Sequence, residues 1–472
     1  MISRIANFPK KDFFFVVILF LAACTIYSLL SLIRHYHFQS QGIDFAIYDQ
    51  ILWLYSKFEA PFSTITFRYD LADRFRPVMI PLSLLYIFTD NESALFLFQA
   101  VIVSATVFPI WLIAKKKLNF PFSILPSYLF ISFIGIQSVF IDDFHEVSLL
   151  PFLLAWLFYF LERKLWKSYF ISLLLCLSVR EHLGFFFSIF SSYVYFSSKN
   201  IKVVISTFFV SLLWSILAIK VFMPAIGGAS YSSFVKPGDN LLSASFGYLL
   251  DPASAIKNFF YPFVKIKTLI FSFLSFGFLP LFYVGLLPII AFQFAYRFLD
   301  IQHPIRSTIF YHFSLELAVL MTISTIFVLE KLTMRIRFRN FFLILIVTII
   351  TLNVIISVYL YAPLLILLQR NFYTEEGWMQ DNKFVLSKVP KNQSVSAQNN
   401  LVPHLSHRNE IYVLPNIKDS IYVVFDLHPG QDSWNFYTQN LEETENLLRE
   451  LVKSGNYRIT MSSGYSFLLE KE

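Results

Sequence analysis

Long apolar blocks, each closed by a short polar or basic segment, set the pattern of this chain. About 20 apolar residues are what a helix needs to cross a bilayer core. The pattern predicts spans over 12–33, 92–114, 120–140, 147–162, 168–180, 184–198, 201–222, 264–280, 282–298, 308–329 and 340–364. Residues 77–90 are a further apolar stretch that either extends the second span or re-enters the membrane. The period changes in 45–58, where Tyr48, Ile51, Leu52, Tyr55 and Phe58 recur at steps of three and four. That spacing predicts an amphipathic helix lying on the membrane surface.

Past residue 365 the blocks stop. "SVSAQNNLVPHLS" (394–406), "EIYVLP" (410–415) and "SIYVVFDL" (420–427) predict short strands. "ENLLRELVKSG" (445–455) has helical spacing and ends at a glycine suited to a C-cap. "YRITMSSGYSFLLE" (457–470) predicts a hairpin around Ser462–Gly464. The expected architecture is an α-helical polytopic membrane protein with about 11 transmembrane helices over 1–365. Within it 34–76 is a first outer loop, and 366–472 is a small extracytoplasmic α/β domain.

Composition supports a membrane solvent. Of 472 residues, 56% are hydrophobic and only 15% charged, where a soluble chain is about a quarter charged. The net charge of +7 is not a nucleic-acid signal, because the basic residues sit in short loops between spans. Lys10–Lys11, Lys115–Lys117, Arg163–Lys167, Lys199–Lys202 and Lys331–Arg339 share one side if the spans alternate. That side is the cytoplasm by the positive-inside rule, which puts the N-terminus inside and the tail outside. The N-terminal apolar run is too long for a signal peptide and reads as an uncleaved helix. Cys24 and Cys176 lie inside apolar runs and read as packing residues.

The remaining ionisable groups cluster on the outer side. "IDDFHE" brings Asp142, Asp143, His145 and Glu146 to the edge of a span. Helix-dipole stabilisation explains one or two of these carboxylates. An Asp/His/Glu set can also bind a divalent metal such as Mg or Mn, with Asp142, Asp143, His145 and Glu146 as the candidates. "REHLG" places Arg180, Glu181 and His182 in an apolar run, where Arg180 and Glu181 can pair locally. Arg180 can equally hold a phosphate. His303, Arg306, Tyr311 and His312 add a second polar group. Asp44 stands where the surface helix begins, as its N-cap or as a carboxylate held at the bilayer boundary. Asp49 follows on the polar face. Acids beside cations next to lipid suit sugar transfer from a lipid phosphate. A carboxylate serves as base for the acceptor hydroxyl, and the leaving phosphate needs charge neutralisation. A transporter or lipid flippase, or a non-catalytic scaffold, are the rival readings.

"IDFAIYDQILW", "DDFHEVSLLPFLL", "REHLG", Tyr311–His312 and "SVSAQNNLVPHLSHRNEIYVLP" together resemble an uncharacterised bacterial family of polytopic membrane proteins, domain of unknown function 2079. That family is similar to the GT-C glycosyltransferases, which use polyprenyl-phosphate sugars and carry a catalytic Asp in the first outer loop. The resemblance implies Asp44 as that carboxylate, with Asp49 second, and Asp143, His145 and Glu181 as further catalytic or pocket-shaping residues. For that sugar transfer Arg180, His182, His303, Arg306, Tyr311 and His312 are the expected donor-binding residues. The partners would be the bilayer and the polyprenyl-phosphate sugar, with no nucleic acid. This chain departs from the family in reading Arg180-Glu181-His182 where Lys-Glu-Asp is frequent. It also reads Arg74-Phe75-Arg76-Pro77 where a His often precedes the proline. Both changes make the face more cationic.

Overall fold

The structure is a computed structural model that describes residues 10–227, 248, 250–335 and 339–472. Much of the expected outer loop 223–263 and the middle of the basic run Lys331–Arg339 lie outside the described residues. The chain is mostly helical with a small C-terminal sheet. Among the described residues, four helices are long and apolar enough to cross a membrane: Lys11–Tyr36, Ser93–Lys117, Ile201–Gly227 and His312–Met334. The first leaves Phe14, Ile18, Leu21, Ile26 and Leu29 exposed, an apolar stripe that a bilayer would cover.

The other expected stretches carry shorter helices, among them Leu150–Glu162, Trp166–Leu177, Leu183–Ser198, Val264–Leu274, Leu287–Phe298 and Arg339–Tyr359. The stretch 120–140 is broken into Leu125–Ser132, Ile134–Gln137 and a tighter turn Ser138–Ile141. The break comes at Phe133, which takes an extended conformation. Residues Met79–Phe88 form a separate apolar helix of ten residues, about 15 Å long and half the thickness of a bilayer core.

The helices define two ends. At one, Lys117 pairs with Glu162 and Glu330 at 3.5 and 3.0 Å. At the other, Arg34 reaches the Phe140 carbonyl and Tyr36 meets Ser93. The first loop and the C-terminal layer pack at this second end. The expected surface helix is Ile47–Ser56, but it does not lie free. Ile51 and Leu52 are fully buried in the helical core, while Asp49 and Gln50 are fully buried against the C-terminal layer. Its polar face is therefore an interface, not a solvated surface. A short antiparallel hairpin, β1 (Phe62–Ser63) and β2 (Arg68–Tyr69), follows.

The C-terminal layer is a five-stranded sheet in the order β4-β3-β5-β7-β6. Its strands are β3 (Val395–Ala397), β4 (Ile411–Val413), β5 (Tyr422–Asp426), β6 (Tyr457–Ser463) and β7 (Ser466–Lys471). β3 pairs in parallel with β4 and β5, and β5, β7 and β6 are antiparallel. The expected strand at 394–406 stops after Ala397, and the chain turns at 402–404. Alternation along β5 builds both faces. Val424 packs with Met379 and Val385 of helix Gly377–Leu386, in a cluster that includes Phe38 and Ala46 of the first loop. Val423 and Phe425 face Leu448 of helix Leu441–Lys453, which a capping box at Asn440 and Glu443 starts.

Candidate functional site

Asp44 is not an N-cap. The turn Gly42–Ala46 is a wide π-type turn flowing directly into the surface helix, and its cap position is Gln41. Asp44 projects from that turn, its side chain half exposed, with its Oδ1 3.9 Å from His145 Nε2. Burial by its surroundings and the charge of Asp142 raise its carboxyl toward about 7. Solvent at the exposed half screens part of that rise.

The residues behind Asp44 come from the broken stretch 133–149. Asp143 sits at φ 57°, a left-handed conformation that Asp tolerates better than most residues. This bend turns Asp142 and Asp143 to opposite partners. Asp142 Oδ2 accepts from the His312 backbone N–H at 2.9 Å and lies 2.6 Å from its ring Nδ1. Asp143 Oδ2 accepts from the Gln41 N–H at 2.7 Å, and its Oδ1 faces Arg34 at 3.8 Å. The His145 and His312 rings stack at 3.9 Å. Burial, reinforced by His312, lowers His145 to about 3 and keeps it neutral.

Asp142, His145 and His312 each offer a ligand atom within 4.8 Å of the others. Nδ1 of His145 is buried with no hydrogen-bond partner among the described residues. This candidate set differs from the one expected from the sequence. Asp143 is committed to Gln41 and Arg34, and Glu146 is committed to arginines. His312, 167 or more residues further along, replaces them.

One turn deeper lies a buried ion network. Glu146 Oε1 accepts from Arg180 Nε at 2.5 Å, and its Oε2 faces Arg76 Nη1 at 3.7 Å. Arg76 also donates to Asp70 at 2.6 Å and stacks over the Tyr48 ring. The Tyr55 hydroxyl donates to Asp70, and Arg180 Nη2 reaches the Tyr48 hydroxyl at 3.5 Å. Burial works to raise the Glu146 carboxyl, but Arg180 and Arg76 outweigh it and hold it below the ordinary range. The expected local Arg180–Glu181 pair is replaced by this one. Glu181 instead accepts from the Phe75 N–H and faces Arg74 at 3.5 Å.

The structure thus brings Asp44, Asp142, His145 and His312 together, with Arg180 and Glu146 behind them. It places the other candidates elsewhere. Asp49 is fully buried, accepting from the Tyr86 and Ser406 hydroxyls and lying 3.1 Å from His407. His303 and Arg306 both bind Asp300, at 2.9 and 2.6 Å. His182 stacks on Tyr296, and Tyr311 supplies the φ 64° bend that leads into His312. Arg74, Arg180 and Arg306 nevertheless share electrostatic range of the Tyr296 hydroxyl. Sequence reasoning gave no role to Asp70, Tyr48 or Tyr296. Arg76, noted only as a departure, was the available signal, since an Arg between Phe75 and the apolar run that starts at Pro77 needs an anion where it is buried.

No match was found among curated proteins. A family model described as a predicted membrane protein matches residues 34–465, which takes in every residue of this site. The chain therefore belongs to the DUF2079 family of predicted membrane proteins.

Proposed function

We propose that this protein is a membrane glycosyltransferase on the outer face of the bacterial inner membrane. It moves a sugar from a polyprenyl-phosphate-linked donor to a lipid, glycan or protein acceptor. The carrying observation is a half-exposed carboxylate, Asp44, at the rim of a buried charge cluster drawn from distant segments. In this reading about eleven helices cross the bilayer. The Lys117–Glu330 end faces the cytoplasm, where the positive-inside rule puts basic loops.

Asp44 accepts the proton of the acceptor hydroxyl as that oxygen attacks the anomeric carbon. The sugar–phosphate bond breaks, and the phosphate leaves with the electron pair. Arg180, Arg306 and Arg74 would meet its charge. Each already pairs with one carboxylate, Glu146, Asp300 or Glu181. A guanidinium has five N–H donors, so pairing does not exhaust it. Asp142, His145 and His312 would hold a divalent cation, whose bound charge would assist an anionic leaving group; two imidazoles favour Mn over Mg.

The test is transfer from lipid-linked sugars by purified protein, wild type against Asp44→Asn. Loss of a general base lowers turnover by roughly 100-fold or more. Equal transfer by both proteins would remove Asp44 from the chemistry.

A further inference from the structure

A second set of potential metal ligands lies outside the proposed site. It sits where the last turn of the first helix, the start of helix Ser93–Lys117 and the C-terminal layer meet. His35, Glu92 and His404 each offer one ligand atom within 4.8 Å of the other two. These positions are far apart in the chain, so the set exists only while the layer is docked. His35 is fully buried, and its Nδ1 lies 2.8 Å from Ser40 Oγ. That contact leaves Nε2 facing Glu92 at 3.6 Å. Nε2 of His35 and Nε2 of His404 are both buried without a hydrogen-bond partner among the described residues.

An unmet buried polar atom is costly, and here two of them stand beside one carboxylate. The rings stack at 4.3 Å, a contact that repels if both are protonated. A cavity of about 90 Å³ adjoins Glu92 and His404, with His35 buried behind them, and is also lined by Asp90, His407, Lys391 and Arg408. It is large enough for an ion and a water.

We propose that His35, Glu92 and His404 bind Zn²⁺, which clasps the C-terminal layer to the membrane helices. Two imidazoles and one carboxylate suit Zn²⁺, with a water from the cavity as fourth ligand, whereas Mg²⁺ prefers oxygen. Ser40 is the outer partner that fixes the His35 tautomer. One ion between the two rings requires the His404 ring to turn out of the stack toward the cavity. The clasp also reaches the candidate site, because the neighbouring Asn399 carbonyl accepts from the Gly42 N–H at 2.7 Å, two residues before Asp44.

The experiment uses full-length protein in detergent, stripped with chelator and titrated with ZnCl₂ or MgCl₂. Zinc per chain is counted by mass spectrometry, and protease sensitivity of 402–408 is followed. Zn²⁺, but not Mg²⁺, should raise the melting temperature and protect this segment. Glu92→Gln, which keeps side-chain size, and His404→Gln should each hold one zinc fewer per chain and lose the protection. His145→Gln, in the other cluster, should keep the protection. Equal zinc counts in wild type and both clasp variants would overturn the proposal. So would equal effects of Mg²⁺ and Zn²⁺, or loss of protection in His145→Gln alone.

Discussion

Replacing Glu146 by glutamine removes one buried negative charge and changes the side chain's size little. The loss is unevenly shared. Arg76 keeps Asp70 at 2.6 Å. Arg180 loses the negative charge 2.5 Å from its Nε, keeping at most a neutral amide oxygen there, the Tyr48 hydroxyl at 3.5 Å and the charge of Glu181. An ion pair at 4 Å and an effective dielectric of 20 is worth about 4 kcal/mol. Breaking a buried pair on one side costs about 3–5 kcal/mol, a large part of the roughly 5–15 kcal/mol that holds a domain together. The same reasoning gives the opposite result for the double variant Glu146→Leu/Arg180→Met. With both charges gone no desolvated charge is stranded, and the pair becomes nearly neutral to remove. The assay is chemical denaturation in detergent, followed by tryptophan fluorescence, of the wild type, Glu146→Gln, Glu146→Leu, Arg180→Met and the double variant. A coupling of at least about 2 kcal/mol is expected between the two positions. Singles within about 1 kcal/mol of wild type, or simple additivity, would refute the network as described.

Three further outcomes follow from close contacts and charge. A Cβ on Gly42 would stand 2.8 Å from Val402 Cβ and 3.0 Å from Asn399 Oδ1. Gly42→Ala should weaken docking of the C-terminal layer by about 1–3 kcal/mol, read as faster proteolysis of residues 395–471. A Cβ on Gly184 would clash with the Ser211 carbonyl oxygen. Backbone cannot swing aside, so Gly184→Ala should force helices Leu183–Ser198 and Ile201–Leu217 apart and sharply lower the folded yield. Burial works to lower His407, but Asp49, Glu92 and Asp90 outweigh it and raise the ring above 6.5. Its contribution is then complete below pH 6.5 and fades as pH rises through the raised value. Amide exchange in 402–411, corrected for intrinsic rates, should be faster at pH 8.5 than at pH 6, and His407→Gln should flatten the difference.

Hydrophobic period made the helices and the C-terminal hairpin legible, because both follow from local spacing. Gly464 takes φ 50° at the hairpin turn and Gly455 takes φ 75° just past its helix, as their places in the sequence imply. Partners across the chain were not legible. Asp142 and Asp143 are neighbours, yet a single left-handed residue sends one to His312 and the other to Gln41. The same bend excludes Asp143 from the metal candidates that adjacency had suggested. Asp49 read as a solvated or catalytic carboxylate because its helix looked like a surface helix with one wet face. That face is in fact covered by Ser406 and His407, and no local pattern announces a cover that arrives 357 residues later.

The same covering distinguishes Asp44 from Asp49, five positions apart on one continuous helical segment. The C-terminal layer seals Asp49, whereas Asp44 projects from the same segment with its side chain half exposed, although Asn399 holds Gly42 and Ile43 beside it. A base must reach its substrate, whereas a structural carboxylate must not be reached by water. In the proposed function the division of roles between these two acids therefore rests on which of them the layer covers. If the layer were displaced by one turn of the helix, Asp49 would gain access and lose its hydroxyl donors. Its role would then have to be reconsidered together with that of Asp44.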